Sequence, residues 1–475
     1  MFRRIFTCSA LIFFLIWPYA GECRPPVFDL VRATDYAQRN SPFLKAKASE
    51  IETQKGDRLA TRASLLPVLS LNGDYTRYKL DHGILTGVTG EDQRTDNERL
   101  SGGVRFNFVA FDFGKNYFNY QGATCRVKSK ENEYERVRQT LIFNVSRIYY
   151  SLITVDKTIG ATNTTIQSLK ALENETEKKV EVGRLPEVDL LKIQVGLSKS
   201  IDDLSRLKTL REELTGELKR LMGYREESEP EFTFEPVRTV EQKAFDTEKL
   251  IIAAYAGRDD LKSIEHNIKG LEYQIRSVKA SYLPRVDLEA GYSEQAPGDG
   301  DFKTDGQAGV VVSMPIFDGF YRKGRTGKLA AEKGRLKFLW QDKKLEIEKE
   351  VRTAVKDYQE TLTRVHSTKR SVDHAEEVLR IEKLKYDLGR TTINFVLEAE
   401  GALLTSRSLF YKAYYDHFIA EDAIALAVGN LHRTGTTGLA DQLCPSGSEP
   451  ELGAGNSAQF SVESRNVFRK VRDRK

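Results

Sequence analysis

Apolar and aromatic residues recur in alternating steps of three and four at Tyr134, Val137, Leu141, Val145, Ile148, Leu152, Val155 and Ile159, with Ile166 and Leu169 following. An average step near 3.5 predicts a long helix carrying a coiled-coil stripe. The same stripe returns at Ile347, Val351, Ala354, Tyr358, Leu362, Val365, Val372, Ala375 and Leu379. Both stretches begin after a Phe-Asp pair (Phe111-Asp112, Phe317-Asp318) and end at a Gly-Arg pair (Gly183-Arg184, Gly389-Arg390). The separation is 72 residues in each (183 − 111 and 389 − 317). Mostly helical, such a segment extends about 100 Å at 1.5 Å per residue, which no compact domain of this size needs.

Four shorter segments have period two. Leu69, Leu71 and Tyr75 oppose Ser70, Asn72, Asp74 and Thr76, and Val104, Phe106 and Phe108 oppose Arg105 and Asn107. Later, Val286, Leu288, Ala290 and Tyr292 oppose Arg285, Asp287 and Glu289, while Val310, Val312 and Met314 face away from Val311 and Ser313. These predict strands at 66–78, 99–111, 283–295 and 306–318, each about the nine to eleven residues of a tilted membrane strand. A soluble sheet with one wet face has the same alternation. Context separates the two readings, because four strands leave two edges that cannot meet hydrocarbon and are too few to close a barrel. Two, three or four copies would supply 8, 12 or 16 strands.

The chain is therefore written twice. Leu66-Pro67 returns as Leu283-Pro284 at an offset of 217, and the Phe-Asp and Gly-Arg pairs return at 206. The loss of 11 falls on the loops "KLDHGILTGVTGEDQRTDNE" and "QAPGDGDFKTDG", where length changes cost little. Each copy reads helix, strand, loop, strand, long helix, turn, helix, over 24–223 and 247–430. The acidic, Pro-containing segment 224–246 connects them, and the Gly/Ser-rich stretch 431–475 is expected to be a disordered tail. In "RFNFVAFDFGKN" and "SMPIFDGFYRKG" a strand runs directly into a helix. Pro315 ends ladder pairing, Gly319 permits a turn, and the aromatics suit a membrane interface. Val109 stands where Pro315 does in the other copy.

The N-terminus changes the setting. Arg3 and Arg4 precede the apolar "IFTCSALIFFLIW" and the small residues of "YAGEC", the order of a secretory signal over residues 1–23, cleaved between Ala20 and Cys23. Removing Arg3, Arg4 and Glu22 takes the net charge from +4 to +3. Glu22 argues against lipidation of Cys23, since a small residue usually precedes a lipidated cysteine. Cys125 and Cys444 are too few for a disulfide framework. With 30% charged residues and so small a net charge, no nucleic-acid partner is indicated, and the basic "FRKVRDRK" reads as a solvated end. No HExxH, CxxC, Walker loop or dinucleotide fingerprint is present, and His366 and His374 lie on a charged helical face. These residues point to neither an enzyme, a cofactor nor a metal.

The order, duplication and spacing of these features resemble the TolC family of bacterial outer-membrane efflux proteins over about residues 28 to 430. The residues that carry the likeness are "ATDYAQRNSPFLKAKASEIETQKGDRLATRASLLPVLSLNGDY", "FDFGK", "PIFDGFYRKG", "VGRLPEVDLLKIQ" and "RDDLKSIEHNIKGLEYQIRSVKASYLPRVDLEAGY". The resemblance implies a mostly α fold with a membrane β-part. Three chains would form a 12-stranded outer-membrane barrel continued by a helical tunnel through the periplasm, with the connector in a mid-tunnel belt. It implies an exit duct for a tripartite efflux pump or type I secretion system, in contact with outer-membrane lipid, a periplasmic adaptor (membrane fusion protein) and an inner-membrane transporter. Phe111, Asp112, Pro315, Phe317, Asp318 and Gly319 would then mark the bend from barrel to tunnel.

The same resemblance places the periplasmic tip at Gly183, Arg184 and Gly389, where adaptors dock and the channel closes. Counting from these glycines, the family's acidic aperture positions fall on Asp189, Phe395 and Glu398. Tyr386 matches an aromatic of the closing network, and Arg390 lies one position from that network's arginine. "VGR" at Val182 to Arg184 departs from the usual apolar third residue of the docking turn. The bland alternative makes Asp189 and Glu398 ordinary helix-start acids. A soluble periplasmic adaptor or structural coiled coil is the competing class, and it predicts one hairpin and no duplicated strand pairs.

Overall fold

The computed structural model describes residues 27–77, 98–225, 230–233, 240, 242–297 and 302–431. The signal segment, Cys23, the first polar loop and the C-terminal stretch lie outside the described residues. The elements in order are β1 (Val27–Phe28), α1 (Leu30–Asn40), α2 (Pro42–Ala63), β2 (Val68–Arg77), β3 (Glu98–Phe111), α3 (Lys115–Glu181) and α4 (Glu187–Met222). There follow β4 (Glu231–Phe232), α5 (Thr247–Gly257), α6 (Asp259–Ala280), β5 (Arg285–Pro297), β6 (Lys303–Ser313), α7 (Tyr321–Asp387) and α8 (Ile393–Val428). α1 and α2 return as α5 and α6 at 217 (247 − 30), and α3 and α4 as α7 and α8 at 206 (321 − 115). α3 and α7 have 67 residues each, about 100 Å of helix.

Two details differ from the sequence-based expectation. The helix before each first strand is two helices. Pro42, which has no N–H to donate, opens α2, and extended Arg258 separates α5 from α6. The strand ends also move. Leu66-Pro67 and Leu283-Pro284 sit in turns, so β2 and β5 start at Val68 and Arg285. β6 starts at Lys303, within the expected loop, because Lys303 pairs with Gln295. It stops at Ser313, well short of 318, ahead of Pro315.

The sheet is antiparallel, in the order β2-β3-β5-β6. Leu69 faces Phe106, Leu71 faces Val104, Phe106 faces Ala290 and Leu288 faces Val310. Opposed residues share a face, so the register gathers every apolar set onto one side and the polar sets onto the other. That apolar side is exposed in the single chain: Leu69, Leu71, Tyr75, Val310 and Val312 all lie open. No helix among the described residues is long and apolar enough to cross a membrane.

The helices lie side by side in the same sequence as the strands: α2 on α3, α3 on α6, α6 on α7 next to the sheet, and α4 on α3, α3 on α8, α8 on α7 farther away. The predicted stripe is inside, with Leu141, Val145, Leu152, Val155, Ile166 and Leu169 buried on α3 and Ile347, Val351, Tyr358, Val365 and Leu379 buried on α7. α3 is central and α7 lies on a flank, where Phe338 and Leu345 remain exposed. The opposite flank, α4, exposes Leu191 and Val195.

Candidate functional site

Three places carry the residues singled out above: the two strand-to-helix bends and the tip. At the first bend the Gly114 and Asn116 N–H groups donate to Asp112 Oδ1 and Oδ2 at 3.0 and 2.9 Å. At the second, the Arg322 N–H and Nε donate to Asp318 Oδ2 at 3.0 and 2.5 Å. Each aspartate thus satisfies N–H groups that the new helix leaves without intrahelical partners. Burial works against ionised Asp318, but the Arg322 hydrogen bonds and charge outweigh it and hold the carboxyl below its ordinary range.

Both turns use two consecutive left-handed residues. Phe113 (φ 53°) and Gly114 (φ 82°) make the first, Gly319 (φ 62°) and Phe320 (φ 66°) the second. A bulky residue at positive φ is strained by about 1–2 kcal/mol. Gly319 therefore supplies only half of its turn, and the sequence reading missed the partner position. Phe111 meets Phe113 with its ring tilted at 4.6 Å, and Phe317 meets Phe320 edge-on at 5.6 Å.

The reading also missed the residues that tie each bend to the preceding helix. Asn116 Nδ2 donates to the Ser64 carbonyl at 3.0 Å. At the matching position Arg322 donates to the Ser281 carbonyl at 2.9 Å and to the Pro315 carbonyl at 2.9 Å, and its guanidinium lies 4.2 Å over Tyr282. Spacing held the signal, since 116 and 64 become 322 and 281 at offsets 206 and 217.

At the tip, Gly183 and Gly389 both have φ 68°. Gly183 N–H donates to Val180 O and Arg184 N–H to Lys179 O. Gly389 and Arg390 donate likewise to Tyr386 O and Lys385 O, all at 2.8–2.9 Å. This paired capping needs a left-handed residue, which glycine supplies without strain. The tip has its own apolar core of Ile193, Leu379, Tyr386, Ile393, Val396, Ala399 and Leu403.

Tyr386 is buried in that core, and its hydroxyl has no hydrogen-bond partner there. Burial raises the hydroxyl above its ordinary value and Asp189 adds to the rise, while the neighbouring Thr176 hydroxyl and the Lys179 cation oppose it. Asp189 is half-buried on α4, whereas Glu398 on α8 and Arg184 and Arg390 at the turns are exposed. None of these four side chains pairs with a described residue.

A clasp not foreseen from the sequence joins three helices just above the tip. Lys383 Nζ on α7 lies 2.6 Å from Glu400 Oε1 on α8 and donates to Ser168 Oγ on α3 at 2.8 Å. Ser168 in turn donates to Glu400 at 2.5 Å. Glu400 is nearly fully buried. Its signal was an acid seven residues after Ile393 and four after Val396, on the apolar stripe. Among the described residues no group of three or more His, Cys, Asp or Glu side chains could hold a metal.

The profile of the outer membrane efflux protein family matches residues 34–224 and 250–430, one span in each copy of the repeat. The chain belongs to the outer membrane efflux protein family. Within reach of that family, it is similar to the outer membrane protein TolC of Escherichia coli (strain K12), 21% identical over 460 residues that cover 89% of this chain and 87% of the relative. It is also similar to the alkaline protease secretion protein AprF of Pseudomonas aeruginosa, 21% identical over 397 residues and 81% of each chain. Among solved structures, the Campylobacter jejuni CmeC outer membrane channel shares the fold with a TM-score of 0.75 at 18% identity, covering 86% of this chain and 87% of that one.

Proposed function

We propose that this chain is a passive exit duct of the outer membrane. Three copies build it, and it carries substrate from an inner-membrane transporter, through a periplasmic adaptor, to the outside. The observation that carries the reading is a four-stranded sheet, apolar on one face and with β2 and β6 as edges that no other described strand pairs, joined to duplicated 67-residue helices. Open edges are not tolerated in hydrocarbon. The open sheet edges and the unpartnered helices occur on the same flanks: β2 with α2 and α4, β6 with α7. A head-to-tail contact of one flank with the other satisfies both and closes into a ring. The family architecture of three chains gives twelve strands.

In that ring the apolar faces of the strands meet lipid, while Asn72, Asp74, Arg105, Asn107, Asp287 and Glu289 line a wet lumen. The helices continue the wall into the periplasm. The tip is the gate and the adaptor contact. Gly183, Arg184 and Gly389 shape the turns, Asp189 and Glu398 each become a ring of three carboxylates, and Tyr386 and Arg390 belong to the closing network. The names of the relatives support both uses of such a duct, efflux and protein secretion. Transport along it needs no catalytic step and no cofactor in this chain.

The test is reconstitution of the full chain in planar bilayers after extraction from outer membranes. Ohmic single-channel conductance without any nucleotide supports the duct. Recovery of the chain as a soluble periplasmic protein would support the adaptor or coiled-coil class instead.

A further inference from the structure

We infer that the helix ends directly beneath the sheet form a docking surface for anionic phospholipid headgroups of the periplasmic leaflet. The inference rests on the outer-membrane reading and goes beyond it, since that reading requires only an apolar wall.

The two helical turns adjoining the sheet are residues 56–63 of α2, 115–122 of α3, 273–280 of α6 and 321–328 of α7, a layer about 12 Å deep at 1.5 Å per residue. They hold two, one, two and four Lys or Arg respectively, nine in all, against one acid within the layer, Asp57, and of the nine Arg322 is engaged by Asp318 just before it. Like charges occupy neighbouring positions on single helix faces: Arg58 with Arg62, Arg276 with Lys279, and Arg325 with Lys328. Such pairs at i,i+3 or i,i+4 destabilise a helix. None of these six side chains forms an ion pair with a described residue.

The pattern reverses farther from the sheet, where the same spacings join opposite charges. Glu133 meets Lys130, Glu175 meets Lys179, Glu217 meets Arg220, Glu348 meets Arg352 and Glu377 meets Arg380. These five opposite-charge pairs all lie outside the basic layer. The bends sit at the boundary of that layer; the second exposes Ile316 (93%), Phe317 (74%), Phe320 (67%) and Tyr321 (69%), and the first exposes Phe111 and Phe113 less fully. Lys323 lies 5.8 Å over the Phe320 ring. Apolar strand face, then aromatics, then basic side chains is the order of hydrocarbon, interface and charged headgroup.

The layer also has room for a headgroup. A cleft of about 420 Å³ between α2 and α3 is lined by Arg58, Arg62, Tyr120, Lys55 and one carboxylate, Glu52. Lys55 is held by Glu52 at 2.8 Å, which leaves the two guanidiniums as the unengaged cations. A phosphodiester offers them the bidentate acceptor that guanidinium geometry suits. A second cleft, of about 350 Å³, is lined by Arg126, Arg325 and Asn119.

The experiment uses the full-length assembly in nanodiscs of equal parts phosphatidylglycerol and phosphatidylethanolamine, followed by mild detergent extraction and mass analysis of retained lipid. Wild type is expected to retain phosphatidylglycerol in excess, and the excess should fall at high salt. Replacing Arg58, Arg62, Arg276, Lys279, Arg325 and Lys328 with Gln should reduce the excess about tenfold or more, in line with the pull of an anionic leaflet on each basic residue. Replacing the four arginines with Lys keeps the charge of the layer and should keep the salt-sensitive part of the excess, losing only the bidentate share at Arg58 and Arg62, which guards against a Gln variant that fails to assemble. Equal retention of both lipids by wild type would overturn the inference. So would unchanged lipid retention in the Gln variant with a shift of single-channel selectivity towards cations, because the layer would then face the lumen. A wild type that never enters membranes would instead overturn the outer-membrane reading, and this inference with it.

Discussion

The two corners where the short helices meet the long ones follow one path and use opposite chemistry. Between α1 and α2 the neighbourhood is aromatic. Phe28 packs edge-on against Tyr36 and Tyr224 at 5.4 and 5.9 Å, and Tyr149 meets Phe232 at 6.2 Å. Between α5 and α6 it is ionic. Arg258, 1% exposed, grips Asp260 at 2.6 Å, pairs with Glu350 and donates to the Ala427 carbonyl at 3.2 Å. Arg136 donates to Leu426 O at 2.6 Å, and Lys343 approaches Asp260 at 3.4 Å.

At both corners the last glycine of a long helix abuts the break. A Cβ on Gly223 would lie 2.7 Å from Asn40 O, and one on Gly429 would lie 3.1 Å from Arg258 Cα. What the repeats share is the backbone approach. The side chains that hold it were free to diverge, and at the first corner Ser41 and Phe43 stand where Arg258 and Asp260 do in the second (258 − 217 and 260 − 217).

The largest expected effect breaks the ionic corner. Arg258→Ala leaves Asp260 and Glu350 without their principal cation and should cost about 3–5 kcal/mol. Ser41→Ala, the matching change, should stay within about 1 kcal/mol. Chemical denaturation of the two variants measures the contrast, and equal losses would refute the division of labour. The pH dependence has a definite sign. Burial works against ionised Asp260, but Arg258, Arg136 and Lys343 outweigh it and hold its pKa at about 2, below the ordinary 3.8. A depressed carboxyl stabilises the fold above its unfolded value and loses that contribution as pH falls from about 4 towards 2. In Arg258→Ala this acid loss should be much smaller.

The strands are where the repeats should agree. Phe106→Arg and Val312→Arg each place a charge on the lipid side and should cost about 2–4 kcal/mol per chain at the membrane midplane. Asn107→Arg points to the lumen and should be much milder. Heat-resistant assembly on gels reads all three, and similar damage from Phe106→Arg and Asn107→Arg would mean that the assigned faces are wrong.

The bends come next. Arg322→Ala removes charge-assisted bonds to two carbonyls and Asp318 and should cost about 2–3 kcal/mol, against about 1 for Asn116→Ala. Thermal unfolding of the extracted protein separates them. An equal effect would make the extra contacts of Arg322 redundant.

Much of this was readable from periodicity. The heptad stripes gave α3 and α7, alternation gave the faces of four strands, and paired glycines gave the tip turns, because each is a local rule repeated many times. The missed features depend on contacts remote in sequence. Nothing near Asp112 or Asp318 says that the helix starting three residues later is preceded by two left-handed residues, one of them a phenylalanine. The break at Arg258 has no proline to announce it, unlike the break at Pro42. The Ser168, Lys383 and Glu400 clasp joins residues 215 and 232 positions from Ser168, although Glu400 on an apolar stripe was a visible anomaly. At the tip, counting from Gly183 and Gly389 located Asp189 and Glu398 but not their environments, which differ in burial.

The smallest effects sharpen the comparison of the two tips, where Asp189 and Lys192 in one repeat match Phe395 and Glu398 in the other. Replacing Asp189 with Asn and Glu398 with Gln should lower cation preference in planar bilayers and change stability by less than about 1 kcal/mol. An unchanged permeability ratio would take both acids out of the aperture. Tyr386→Phe removes a buried hydroxyl that makes no hydrogen bond with a described residue, so stability should not fall. A rise in open probability would show that the hydroxyl bonds across chains when the gate closes.

The central claim is that open β2 and β6 edges and open helix flanks are closed by two further copies of the same chain. Native mass spectrometry of the assembly extracted from outer membranes in mild detergent tests it most directly. The account predicts a single species of three chains, and a stable species of one, two or four chains would contradict it.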